Sequence, residues 1–98
     1  MAEYEWARLR ADELRKYSQD DTVVILPVAA LEQHGPHLPV MVDSRLVEEV
    51  SKRTASLGVD KGLPIITLPV VWHGLSEHHM PFGGTVTLTS NTFFLIVR

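Results

Sequence analysis

Two runs of apolar, largely β-branched residues dominate this chain: "TVVILPVAAL" over positions 22–31 and "LPIITLPVVW" over 63–72. Such runs, with little alternation, predict strands buried on both faces, the habit of a parallel sheet. Between them "SRLVEEVSKRTASLG" reads as a helix over 44–58. Leu46, Val47, Val50, Thr54 and Leu57 share one face of it. Ser44 suits its N-cap, and Gly58 suits the residue just past its end. Ahead of the first strand, "ARLRADELRKYS" predicts a short amphipathic helix over 7–18, with Leu9, Leu14 and Tyr17 as its apolar residues. "TVTLT" predicts a third, short strand over 85–89, and Ser90 then reads as the N-cap of a helix beginning "NTFFLIVR".

That order is an α/β pattern. In such sheets ligands bind in the crevice beyond the strands' C-terminal ends. The final apolar residues, Phe93 to Val97, are barely offered a partner. The chain is therefore expected to be the N-terminal portion, 1–98, of a single α/β domain whose sheet is flanked by helices and incomplete.

A polar loop follows each apolar run, and the five histidines all lie in these two loops. The first loop, "LEQHGPHLPVMVD", places Glu32, His34, His37 and Asp43 in the pattern E-x-H-x2-H-x5-D. In an extended segment, residues two apart point to the same side, so Glu32 and His34 can approach one spot or two adjacent ions. The loop through Gly35, Pro36 and Pro39 can fold back to bring Asp43 to them. Each residue alone also reads as loop solvation, helix capping or a hydrogen-bonded histidine. Together they are harder to dismiss, because acidic groups set against a buried strand need compensation. A divalent metal supplies it, and imidazole favours zinc or another transition metal over magnesium or calcium. Arg45, the local cation, is a rival partner for Glu32.

The second loop, "WHGLSEHHMPFGGT", holds His73, His78 and His79. Ser76, Glu77 and His78 are candidates for binding substrate or moving protons. Adjacent His78 and His79 cannot both point one way on an extended chain, so at least one is expected to be structural or exposed. Ser76 lacks the G-x-S-x-G setting of a nucleophile elbow. Gly83 and Gly84 read as close packing or a tight turn.

Composition narrows the partners. Charged residues make up 21% of the chain, its formal net charge is -3, and its nine Lys and Arg are scattered. Nucleic acid and a membrane surface are thereby disfavoured. No apolar run approaches a membrane span, and "MAEYEWARLRADELRK" is no secretory signal. There is no Cys, so disulfides and thiolate ligands are excluded and any metal is held by nitrogen and oxygen. A cytoplasmic setting is expected.

"LPVAALEQHGPHLPVMVD" closely resembles the signature of the creatininase family, the creatinine amidohydrolase-like metal hydrolases. "HGLSEHHMPFGGTVTL" resembles a second block of that family, and the similarity spans roughly Val23 to Leu88. The resemblance implies a creatininase-like α/β fold holding a pair of divalent ions, zinc or manganese, and hydrolysis of cyclic or linear amide C–N bonds. It implies that Glu32 binds one ion, His34 the other, and that Asp43 bridges them. His37 would orient a ligand or the loop, and Ser76 would lie on the substrate side, with Glu77 and His78 as weaker candidates there. It also implies a homo-oligomer acting on a small-molecule amide. The family completes its metal site from a later Asn-Gly-His-Gly-Gly-Asn-like block that this chain lacks. The expectation is thus the front portion of such an enzyme, with little activity alone. The alternatives are a non-catalytic metal-binding or oligomer-interface remnant, and a metal-free hydrolase using Ser76 and His78.

Overall fold

The computed structural model describes residues 3–98. Its longest element is a helix, α2, over Val42–Asp60. It is joined by α1 over Ala11–Tyr17, α3 over Ser90–Val97, and two three-residue strands, β1 over Val23–Ile25 and β2 over Ile65–Thr67. The described residues form two compact units. One comprises the chain up to Pro27 together with Glu48–Pro69, the other Val28–Val47 together with Val70–Arg98.

In the first unit β1 and β2 pair in parallel, with Val23 opposite Ile65, Val24 opposite Ile66 and Ile25 opposite Thr67. The other edge of β2 bridges Glu5, and the Thr67 N–H donates to the Tyr4 carbonyl at 2.8 Å. Flanked on both edges, β2 buries Ile66 and Thr67. Among the described residues β1 pairs along one edge alone, and it leaves Val23 58% exposed, which corrects the expectation of a strand buried on both faces. The strands are also shorter than the apolar runs. Pro27 and Pro69 interrupt those runs and have no N–H to continue a ladder.

The α2 helix buries Ser51, Ala55 and Gly58, spaced four and three residues apart. This stripe of small residues replaces the expected face, since Leu46, Val50 and Leu57 are all exposed. Close approach to the sheet decides the matter. A Cβ on Gly58 would lie 2.5 Å from Cγ2 of Ile65. Gly58 is therefore inside the helix and does not end it. The helix runs to Asp60, and the left-handed residue just past its end is Gly62, whose φ is +77°. There the Leu63 N–H donates to the Gly58 carbonyl at 2.9 Å and the Gly62 N–H to the Val59 carbonyl at 2.9 Å, a Schellman pair. Ser44 likewise lies within the helix rather than at its N-cap.

The N-terminal helix is also shorter than expected. A 3-10 turn over Trp6–Arg8 precedes α1, which begins where the Glu13 carboxylate accepts the Arg10 N–H at 3.3 Å.

In the second unit Val28 bridges Val71 in parallel and Leu31 bridges Val86 antiparallel. Among the described residues the latter bridge is all the ladder that "TVTLT" makes, and the expected third strand is not found there. Thr89, not Ser90, caps α3, and its hydroxyl accepts the Thr92 N–H at 3.3 Å. Gly74 is buried against the Ala29 carbonyl, where a side chain would collide. Among the described residues no helix is long and apolar enough to cross a membrane.

Candidate functional site

The second unit carries both histidine loops. Just past the Leu31 bridge, Gly35 turns the chain at φ +78°, and its N–H donates to Oε1 of Gln33 at 2.9 Å. This curls the loop tightly enough for Nδ1 of His34 to lie 3.0 Å from the Glu32 carbonyl. A carbonyl only accepts, so Nδ1 carries the proton and Nε2 faces the other way. Nε2 lies 3.2 Å from Oδ1 of Asp43, which sits in the first turn of α2. Negative charge is favoured at a helix N-terminus. The pKa of His34 is raised, first by the Glu32 carbonyl and further by the Asp43 carboxylate. Glu32, His34 and Asp43 each offer one ligand atom, and the three atoms lie within 4.8 Å of one another.

The carboxylate of Glu32 is held from the second loop. Oγ of Ser76 donates to its Oε2, and Ser76 is fully buried. The Ser76 N–H in turn donates to Oγ1 of Thr87 at 2.9 Å. Glu32 has a lowered pKa, chiefly through the Ser76 hydroxyl; burial works against this and the His79 ring adds to it. Ser76, placed by resemblance on the substrate side, thus spends its hydroxyl on Glu32.

Glu77–His79 form a 3-10 turn, not an extended segment. His78 and His79 therefore do not diverge: their ring centroids are 4.1 Å apart, and both offer a nitrogen near the Glu32 carboxylate. These three also meet the 4.8 Å distance condition for a shared ion. The hydrogen bonds argue against ligation by His79. Oε1 of Gln33 accepts from Gly35, so its Nε2 is the donor to Nδ1 of His79 at 2.7 Å. His79 then keeps its proton on Nε2, which lies 3.8 Å from Oε2 of Glu32, an electrostatic contact too long for a hydrogen bond.

His78, though in that group, is exposed. The remaining candidates stand apart, and Glu77 is exposed. His37 is exposed against Gly35 and belongs to neither group. His73 packs edge-on against Trp72 at 4.5 Å. Sequence reasoning missed Gln33, Thr85 and Thr87, and assigned His79 no role. Their signal was faint: an amide between Glu32 and His34, and threonines two apart.

The family model for creatininase, described as creatinine amidohydrolase, matches residues 7–98. A mycofactocin precursor peptide peptidase from Mycolicibacterium smegmatis is 33% identical over 76 residues, covering 76% of this chain and 31% of that protein. A creatinine amidohydrolase from Pseudomonas putida is 36% identical over 64 residues, covering 65% of this chain and 23% of that protein. The solved structure of a mutant creatininase superposes with a TM-score of 0.76 at 30% identity, covering 93% of this chain and 36% of that one. The chain thus spans about a third or less of the length of the relatives it matches.

Proposed function

Since this chain belongs to the creatininase family, a family of amidohydrolases, we propose that it forms part of a metal-dependent site that hydrolyses a small amide C–N bond. One observation carries this reading: the convergence of Glu32, His34 and Asp43 within 4.8 Å. Two carboxylates and an imidazole suit a divalent ion, zinc or manganese. The tautomer of His34 suits it too. A metal-binding histidine donates its other ring N–H to a carbonyl or carboxylate, and the Nδ1 of His34 faces the Glu32 carbonyl in this way.

On this reading Glu32 and His34 would each hold one of two ions, with Asp43 between them. Such ions, when bound, make hydroxide available near neutral pH and polarise the amide carbonyl. The chain's own residues prepare that site. The Ser76 hydroxyl keeps Glu32 ionised and aimed. Gln33 holds the His79 ring with its proton toward Glu32. His78, exposed beside them, and Glu77 are proposed to meet the substrate, and Ser76 to serve it through Glu32. His37 is proposed to order its loop.

A peptidase and a creatinine amidohydrolase among the relatives both support an amide as the substrate class. Glu32, His34 and Asp43 leave each of two ions with two protein contacts, so we propose little turnover from these 98 residues alone. A cytoplasmic homo-oligomer is the setting proposed for the whole protein.

The test is metal analysis and calorimetric titration with zinc and manganese, followed by assays of the whole protein on creatinine and small peptide amides. Stoichiometric metal and chelator-sensitive hydrolysis are expected. Hydrolysis that survives exhaustive chelation would refute the reading.

A further inference from the structure

The segment 85–88 makes almost no sheet, yet four hydrogen bonds tie it to the two histidine loops. The Val86 N–H donates to the Leu31 carbonyl at 2.9 Å and the Leu88 N–H to the Gly74 carbonyl at 3.1 Å. Alternating with these, Oγ1 of Thr85 accepts the Gln33 N–H at 3.0 Å and Oγ1 of Thr87 accepts the Ser76 N–H at 2.9 Å. Even positions use backbone donors, and odd positions use hydroxyl acceptors. Residues 31 and 33 enter the first loop, and residues 74 and 76 enter the second. Threonine suits the task, because its branched Cβ restricts χ1 and so fixes where the hydroxyl points. The Thr87 hydroxyl is further engaged as donor to the Leu88 carbonyl at 3.3 Å, which leaves lone pairs for Ser76.

The two residues held by threonine hydroxyls each orient one group of the site. Thr87 holds Ser76, whose hydroxyl holds Glu32. Thr85 holds Gln33, whose amide holds His79. We propose that Thr85 and Thr87 are positioning residues that lace the two loops together and set the spacing of Glu32, His34 and His79. The functional consequence rests on the metal reading above, whereas the lacing itself does not.

The experiment compares Thr85→Val and Thr87→Val, which keep shape and lose the acceptor, with Thr85→Ser and Thr87→Ser, which keep the hydroxyl. Three quantities are read on the full chain: zinc and manganese affinity by calorimetry, the unfolding midpoint, and amide hydrogen exchange in metal-free protein. Each Val variant is expected to weaken metal binding ~10–100-fold, the loss typical of removing a partner that orients a ligand. Exchange should accelerate at Gln33 in Thr85→Val and at Ser76 in Thr87→Val, and both Ser variants should stay close to wild type. Unchanged affinity and unchanged protection in the Val variants would overturn the proposal. So would affinity that falls only in step with global unfolding. If wild type binds neither ion, the metal reading falls, and the lacing is decided by exchange: site-selective loss of protection supports it and uniform protection refutes it. If a Val variant fails to fold, its Ser counterpart decides: wild-type affinity and protection support the proposal, and their loss refutes it.

Discussion

The Ser76 hydroxyl donates to Oε2 of Glu32 across a separation of 44 positions, joining the second histidine loop to the first. Ser76 is fully buried and the Glu32 side chain is 17% exposed, so water competes little for this bond.

Ser76→Ala is therefore expected to cost about 1.5–3 kcal/mol, the value of a hydrogen bond to a charged group. The pH dependence should move with it. Glu32 has a lowered pKa in the fold, so its contribution is present above the unfolded value and is lost as pH falls through the folded one. Without the hydroxyl the folded value lies closer to the unfolded one, so the loss should be smaller and complete at a higher pH. Urea unfolding of metal-free wild type and variant across the acid range would show it, and superimposable pH profiles would contradict it.

His34 behaves oppositely. Its pKa is raised by the Glu32 carbonyl and then by Asp43, so its contribution is present below the unfolded value and lost as pH rises through the folded one. NMR titration of the chelator-treated chain should find His34 above an ordinary imidazole. Asp43→Asn should lower that value while leaving the carbonyl's share. A His34 that titrates like a free imidazole in wild type would be the contrary result.

Asp43→Ala should impair metal binding far more than His37→Ala. Asp43 faces His34 at 3.2 Å and belongs to the convergent group, whereas His37 lies against Gly35 and outside it. Loss of measurable binding is expected for the first, and for the second no more than the ~10–100-fold of a ligand-orienting residue. Equal losses by calorimetry would show that the ligand assignment is wrong.

Two glycine substitutions should destabilise for different reasons. Gly58→Ala gains about 1 kcal/mol of helix propensity but forces a Cβ to 2.5 Å from Ile65, and overpacking of this kind costs about 1–3 kcal/mol. Gly62→Ala meets nothing within 4 Å yet must hold φ +77°, at about 1–2 kcal/mol. Chemical denaturation checks both, and a stabilised Gly58→Ala would mean that α2 does not pack this closely on β2.

The 98-residue chain should self-associate in water. Leu46 and Val50 are each 61% exposed on α2, and Leu95 on α3 is 71% exposed. Large apolar side chains left in water favour association. Sedimentation velocity over a concentration series tests it, and a concentration-independent monomer would contradict it.

Much of the site could be read directly from the chain. Glu32, His34 and Asp43 lie close in sequence, and glycine and proline between them dictate a turn whatever surrounds it, so their convergence is a local property. The α/β class was equally legible, because two apolar runs and an intervening helical period need only local pattern.

Long-range contacts decided the rest. Which face of α2 is buried depends on how close β2 comes, and the buried residues Ser51, Ala55 and Gly58 are all small, with Gly58 leaving no room for a Cβ against Ile65. How much of β1 is covered depends on which distant residues pack over its faces. The left-handed residue past the helix end is Gly62 rather than Gly58 because packing requires one glycine and backbone conformation the other. His78 and His79 share a side because residues 77–79 wind into a 3-10 turn, and Ser76 turns inward because a carboxylate 44 positions away accepts its proton. Hydrogen bonds between distant residues leave no period in a sequence, and that is why Thr85, Thr87, Gln33 and His79 emerge only when the loops are folded together.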